Sequence, residues 1–184
     1  LLAECSIQEA ETLVGVHAGQ FRRSRRWRRT PHPKAWPPER FAHVIGELAE
    51  RGADRFVLTG AADERRLADS IIGRLPRGLA VNLAGRTDLH TLGAVIERCS
   101  LFISLDTGPA HIAAAVGTPL VVLFGPSAPA LMGPQGDESR IKRIYLEPSD
   151  LPPDARGGYH PRMWAIQVAD VVQAAEALRV RFTH

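Results

Sequence analysis

Cysteine is scarce: Cys5 and Cys99 are the two in 184 residues. That is too few for a disulfide framework or a cysteine-built metal cluster, and it fits a reducing cytoplasm. The seven histidines are scattered. No two of them sit at a helical spacing with a carboxylate beside them, so no metal is expected. Long apolar runs are also missing. The longest, Ile112 to Gly125, is interrupted by Gly117-Thr118-Pro119 and falls short of the ~20 residues that span a bilayer. The chain starts at Leu1, with no basic start leading into an apolar run. We expect no signal peptide, and a chain excised or processed from something longer. Three sequence fingerprints are absent: the G-x-G-x-x-G loop of dinucleotide sites, the G-x-x-x-x-G-K-[ST] P-loop and the G-x-S-x-G nucleophile elbow.

What is present is the material of one globular domain: 45% hydrophobic and 23% charged residues in a length that can bury a sizeable core. The net charge of +3 is unevenly placed. Arg22, Arg23, Arg25, Arg26, Arg28 and Arg29 fall within eight residues, and without them the chain would be slightly acidic. The basic balance therefore describes one segment, not a basic face, and no nucleic-acid partner is expected.

Apolar runs alternate with helical periodicity along the whole chain. Val14–His17, Arg55–Gly60, Gly78–Leu83, Leu101–Leu105, Leu120–Phe124 and Arg143–Leu146 read as strands. Between them lie stripes of helical spacing: Phe41, Val44, Ile45 and Leu48; Leu67, Ile71 and Leu75; Leu89, Leu92 and Ile96. Thr87 or Asp88 should cap the last of these. Pro109–Val116 makes a short helix, and Val168, Val171, Val172, Ala175 and Leu178 mark a closing one. Ser149–Gly158 reads as an irregular crossing. Strict alternation predicts an α/β fold, a parallel sheet with helices on both faces. Ligands of such sheets sit beyond the carboxyl ends of the strands. The places to look are then Ala18 to Gln20, Gly60 to Glu64, Gly85 to Asp88, Asp106 to His111 and Gly125 to Ser127.

Asp106-Thr107-Gly108-Pro109-Ala110-His111 closes one of these strands and opens a helix. The Thr107 hydroxyl can cap the helix, Gly108 lets a ligand approach the backbone, and Pro109 suits the first turn. The free N–H groups of that turn favour a phosphate. His111, four residues after Thr107, shares its face and can donate to a phosphate oxygen. The residues alone leave two readings open: a phosphate site, or simply a good helix start with a satisfied histidine.

The stretch from Asp106 through Ile112-Ala113-Ala114-Ala115-Val116-Gly117-Thr118-Pro119 to Leu123-Phe124-Gly125-Pro126-Ser127 closely resembles the signature of glycosyltransferase family nine, the ADP-heptose:lipopolysaccharide heptosyltransferases. Supporting pieces lie in order: His17-Ala18-Gly19, Lys34-Ala35-Trp36-Pro37, Thr59-Gly60 with Glu64, and Asn82-Leu83-Ala84-Gly85-Arg86-Thr87. The resemblance runs from about Val14 to the last helix. It implies one half of a GT-B enzyme: residues 1–184 as a single Rossmann-like, nucleotide-sugar-binding carboxyl-terminal domain, with the amino-terminal acceptor domain and its base absent. Transfer in such enzymes inverts the anomeric centre and needs no metal or other cofactor. The chain alone would be inactive.

By the same resemblance, Lys34 would contact the diphosphate or sugar, Glu64 the ribose hydroxyls, and Thr87 with its neighbours the adenine. Asp106 would hold the sugar. Thr107, Gly108 and His111 would hold the diphosphate, with Gly19 and Gln20 near the same phosphates. The blander alternatives are a solvated Lys34, a Glu64 placed by the helix dipole, an Asp106 that caps its own turn and a structural His111. Trp36 reads as packing. The implied partners are an ADP-sugar, the amino-terminal domain and a lipid-linked saccharide acceptor, in the cytoplasm. The stretch Phe21–Pro33 looks like an insertion. Its arginines, Arg22 to Arg29, carry a looser expectation of contact with anionic lipid at the inner face of the inner membrane. The alternative is a non-catalytic module that keeps the fold, or a transferase for another nucleotide-sugar.

Overall fold

A computed structural model describes residues 1–19, 31–147, 149 and 158–182. Gln20 and the Arg22–Arg29 cluster lie outside the described residues. Six strands, β1 (Leu13–His17), β2 (Arg55–Leu58), β3 (Ala80–Asn82), β4 (Leu101–Leu105), β5 (Leu120–Leu123) and β6 (Ile141–Ile144), form one sheet. Every pairing is parallel and the order is β3-β2-β1-β4-β5-β6. The expected α/β architecture is thus present. The order reverses between β1 and β4, so a crevice opens where the loops after these two strands diverge.

Strand alternation sorts the core into layers. Val14, Val16, Ile103, Leu105, Val121 and Leu123 pack with the buried faces of α1 (Pro38–Glu50), α2 (Arg65–Ile72) and α7 (Val168–Phe182). On the opposite face, Phe102, Leu120 and Val122 pack with α3 (Leu89–Arg98) and α4 (Gly108–Ala115). Both faces of β4 and β5 are covered; β5 is accordingly apolar throughout, and β4 is apolar except for the buried Ser104. Gly15 belongs to the second face for a packing reason: a Cβ there would lie 2.4 Å from the Phe102 ring.

Three expectations shift. The sixth strand starts two residues earlier than the apolar run suggested. Its pairing follows the β5 register, Leu120 to Ile141 through Leu123 to Ile144, and puts Ile141 in the core. Leu75 lies past the end of α2. Leu89 begins α3 but is 68% exposed and does not join the buried stripe, which runs through Val95 and Ile96 instead. The α3 cap is Asp88, whose carboxylate accepts from the Thr91 amide at 2.7 Å.

The two shortest α-helices among the described residues are α5 (Pro129–Met132) and α6 (Pro161–Ala165). The second is a brace. The Trp36 indole N–H donates to the Ile166 carbonyl at 3.2 Å, and Arg40 donates to the carbonyls of Trp164 and Ile166 at 2.6 and 2.5 Å. The Arg40 guanidinium lies 4.6 Å from the centre of the Trp164 ring. Met163 and the Pro33 carbonyl close on Gly125, where a Cβ would come within 2.9 Å of Met163. The segment leading into α1 is thus fixed by residues near the end of the chain. No helix among the described residues is long and apolar enough to cross a membrane.

Candidate functional site

A cleft of about 380 Å³ opens at the carboxyl end of the sheet, beside the strand-order reversal. Of the residues expected from the sequence, Glu64, Thr87, Thr107 and Gly108 line it. They come from the turns after β2, β3 and β4, so the fold collects them from three separate segments. Leu89 and Leu92 give the cleft an apolar wall. The exposure of Leu89 is therefore explained: it faces the opening and not the core.

Glu64 lies just before α2, and its Oε2 accepts from the Ala61 amide at 2.8 Å. The carboxylate rests against two glycines. A Cβ on Gly19 would be 2.3 Å from the Glu64 Cδ, and one on Gly60 would be 3.0 Å from its Oε2. The glycines make the room that holds the carboxylate at the cleft. Gly85, at φ +73°, turns the chain toward Thr87, and its Cα faces Ala62 so closely that a Cβ would lie 2.8 Å from the Ala62 Cα.

Thr107 occupies the cap position of α4, but its hydroxyl does not cap the helix. It donates to the Leu105 carbonyl at 3.2 Å and lies 3.4 Å from the Ser104 hydroxyl. The hydroxyl turns back along the strand, so the first turn of α4 presents Gly108 and Pro109 to the cleft without a side-chain cap. His111 is exposed on the next turn, outside the residues that line the cleft.

Beside the cleft lies a second cluster. Asp106 is 3% exposed, and its Oδ2 accepts from Lys34 Nζ and from Ser127 Oγ, each at 2.5 Å. Lys34 also donates to the Asp106 carbonyl at 3.0 Å. The loop before α1, the end of β4 and the end of β5 are thereby tied to one carboxylate oxygen. Lys34 is held by Asp106 while its side chain stays partly exposed, and Asp106 does more than cap its own turn. Among the described residues, no group of three or more His, Cys, Asp or Glu is placed to hold a metal ion.

His17 was legible only as part of a supporting motif, yet it lines the cleft. It ends β1 on the α3–α4 face, 6% exposed, with Nδ1 3.1 Å from the Thr59 hydroxyl. Burial strips water from the charged imidazolium and lowers its pKa to about 4, against a smaller opposing pull from the carbonyls of Thr59 and Gly19. The ring is therefore neutral at physiological pH. Below the ordinary histidine value of 6.5, the unfolded chain binds a proton that the native chain refuses. Stability is full above that pH and falls as the pH drops from 6.5 toward 4, by about 3 kcal/mol from this residue. Urea unfolding at several pH values should show this slope in the native sequence and a shallower one in His17→Asn. Equal slopes would assign the acid sensitivity elsewhere.

Residues 27–150 match the family described as glycosyltransferase family 9 (heptosyltransferase). The chain is 35% identical over 133 residues to lipooligosaccharide heptosyltransferase 2 of Haemophilus influenzae, covering 69% of this chain and 38% of that protein. It is 31% identical over 149 residues to lipopolysaccharide heptosyltransferase 2 of Escherichia coli, covering 79% of this chain and 42% of that protein. The chain thus spans about two fifths of the length of these relatives. Among solved structures, an E. coli ADP-heptose lps heptosyltransferase II superposes with a TM-score of 0.82 at 26% identity, over 100% of this chain and 51% of the other. An E. coli heptosyltransferase solved with ADP shares the fold at a TM-score of 0.69 and 23% identity, over 92% of this chain and 45% of the other.

Proposed function

Because the chain belongs to glycosyltransferase family 9, the heptosyltransferases, we propose that it is the donor-binding part of such an enzyme and takes an ADP-sugar, ADP-heptose foremost. The observation that carries this reading is the cleft itself. It lies at the strand-order reversal, with the open first turn of α4 on one side and Glu64 and Thr87 on the other.

In this reading the adenine enters between Thr87 and the Leu89–Leu92 wall, and Glu64 accepts from the ribose hydroxyls. The diphosphate meets the first turn of α4 through Thr107 and Gly108, with His111 and Gly19 near by. Lys34 reaches the diphosphate or the sugar, and Asp106 holds the sugar. Transfer inverts the anomeric centre: an acceptor hydroxyl of a lipid-linked saccharide attacks it from the side opposite the diphosphate, and the bond to the diphosphate oxygen breaks. The helix start and the Lys34 ammonium stabilise the charge left on the departing ADP, with no metal required. A base and an acceptor site come from a partner domain, so the chain alone binds donor and transfers nothing. The setting is the cytoplasm, facing the inner membrane.

Calorimetric titration of ADP and ADP-heptose into the chain tests the reading. Saturable binding of both, tighter for the sugar, is the expected result. No heat and no competition between the two ligands would sink it.

A further inference from the structure

The Lys34–Asp106–Ser127 cluster poses a problem that the donor-binding reading does not solve by itself. Lys34 is the cation meant for the donor, yet its ammonium is already engaged by the Asp106 carboxylate and carbonyl. To reach a diphosphate it must loosen that pair. Asp106 is 3% exposed, while the Lys34 side chain is 24% exposed. Water can therefore take over part of the ammonium's solvation, but not that of the carboxylate. A buried carboxylate stripped of its partner is strongly disfavoured.

Ser127 is placed to remove that obstacle. Its hydroxyl donates to the same oxygen, Oδ2, that Lys34 occupies. It comes from the turn after β5, a different segment of the chain from the one that carries Lys34. We propose that Ser127 is a positioning residue for donor binding. Its hydrogen bond to Asp106 keeps the carboxylate satisfied while Lys34 turns to the diphosphate, so Ser127 acts through Lys34 and Asp106 without touching the donor.

The inference rests on the donor-binding reading, and the two fail in different ways. If the unaltered chain binds no ADP, the reading itself is lost. If it binds ADP, the variants judge Ser127. ADP titration should show Ser127→Ala about tenfold weaker than the native sequence, with Ser127→Thr restored to within about twofold. Ser127→Cys, close in size and a weak donor, should follow alanine and guards against a packing artefact. The decisive comparison is the double-mutant cycle. In a Lys34→Met background there is no ammonium to release, so adding Ser127→Ala should change ADP affinity less than twofold. A Ser127→Ala chain that binds ADP as the native one does overturns the proposal. So does a tenfold loss that persists undiminished in the Lys34→Met background, because that loss would not pass through Lys34.

Discussion

Replacing Asp106 with alanine should lower the affinity for ADP-heptose about 100-fold while leaving ADP within a few-fold. The asymmetry follows from what Asp106 does at each end. On the donor, its carboxylate is proposed to accept from sugar hydroxyls. Charge-assisted hydrogen bonds of that kind are worth about 1.5–3 kcal/mol each, so losing two of them reaches the stated factor. ADP has no sugar beyond its ribose to lose. Moreover, Asp106→Ala frees Lys34 from the carboxylate that engages it at 2.5 Å, and a freed ammonium is available to a diphosphate without any exchange. The fold should lose about 2 kcal/mol, since Ser127 and Lys34 both lose their buried acceptor. Titration of the two ligands side by side checks this. An ADP-heptose affinity equal to that of the native chain would remove Asp106 from the sugar site.

The second large effect is expected from a smaller change. Gly19→Ala adds one methyl group, but its Cβ would stand 2.3 Å from the Glu64 Cδ and Oε2 and 2.5 Å from Oε1. The carboxylate is not a free end that can step aside, because Oε2 is bound to the Ala61 amide. Glu64 must leave its place, and the acceptor proposed for the ribose hydroxyls goes with it. ADP affinity should fall about 30- to 100-fold. If the loss passes through Glu64, then Glu64→Ala should weaken ADP to a similar extent, and the double variant should be little worse than either single one. Additive losses would mean that Gly19 contributes by some other route.

Much of the fold could be read from the chain because the sheet is parallel. Helix and strand must alternate in such a sheet, and strands covered on both faces read as nearly continuous apolar runs, unbroken at Leu120–Leu123 and broken only by Ser104 at Leu101–Leu105. The start of α4 was legible too, since Gly108 and Pro109 mark a helix start by local chemistry. What escaped was set by distant partners. Leu89 falls on the periodic stripe of α3, yet it faces the cleft, because the burial of a helix's first residue depends on what stands opposite. The Thr107 hydroxyl had two acceptable acceptors within reach, and Ser104 with Leu105 drew it away from the cap. His17 carried a signal that could have been used: a histidine that closes the first strand, on the same face as Gly15 by parity, points to the α4 side of the crevice. The engagement of one Asp106 oxygen by Lys34 and Ser127 joins residues 72 and 21 positions away, which no local pattern encodes. The α6 brace is of the same kind.

That brace has a consequence for timing. The bond from Trp36 to Ile166 spans 130 positions of sequence. On a ribosome, residues enter at about 5–20 per second, so the anchor for the Lys34 segment emerges on the order of ten seconds after the segment itself. Until then β1, β2 and β4 can already pair and Asp106 can engage the ammonium, but the segment that carries Lys34 lacks its brace. The sheet strands emerge first, and the brace that fixes the segment carrying Lys34 follows with α6.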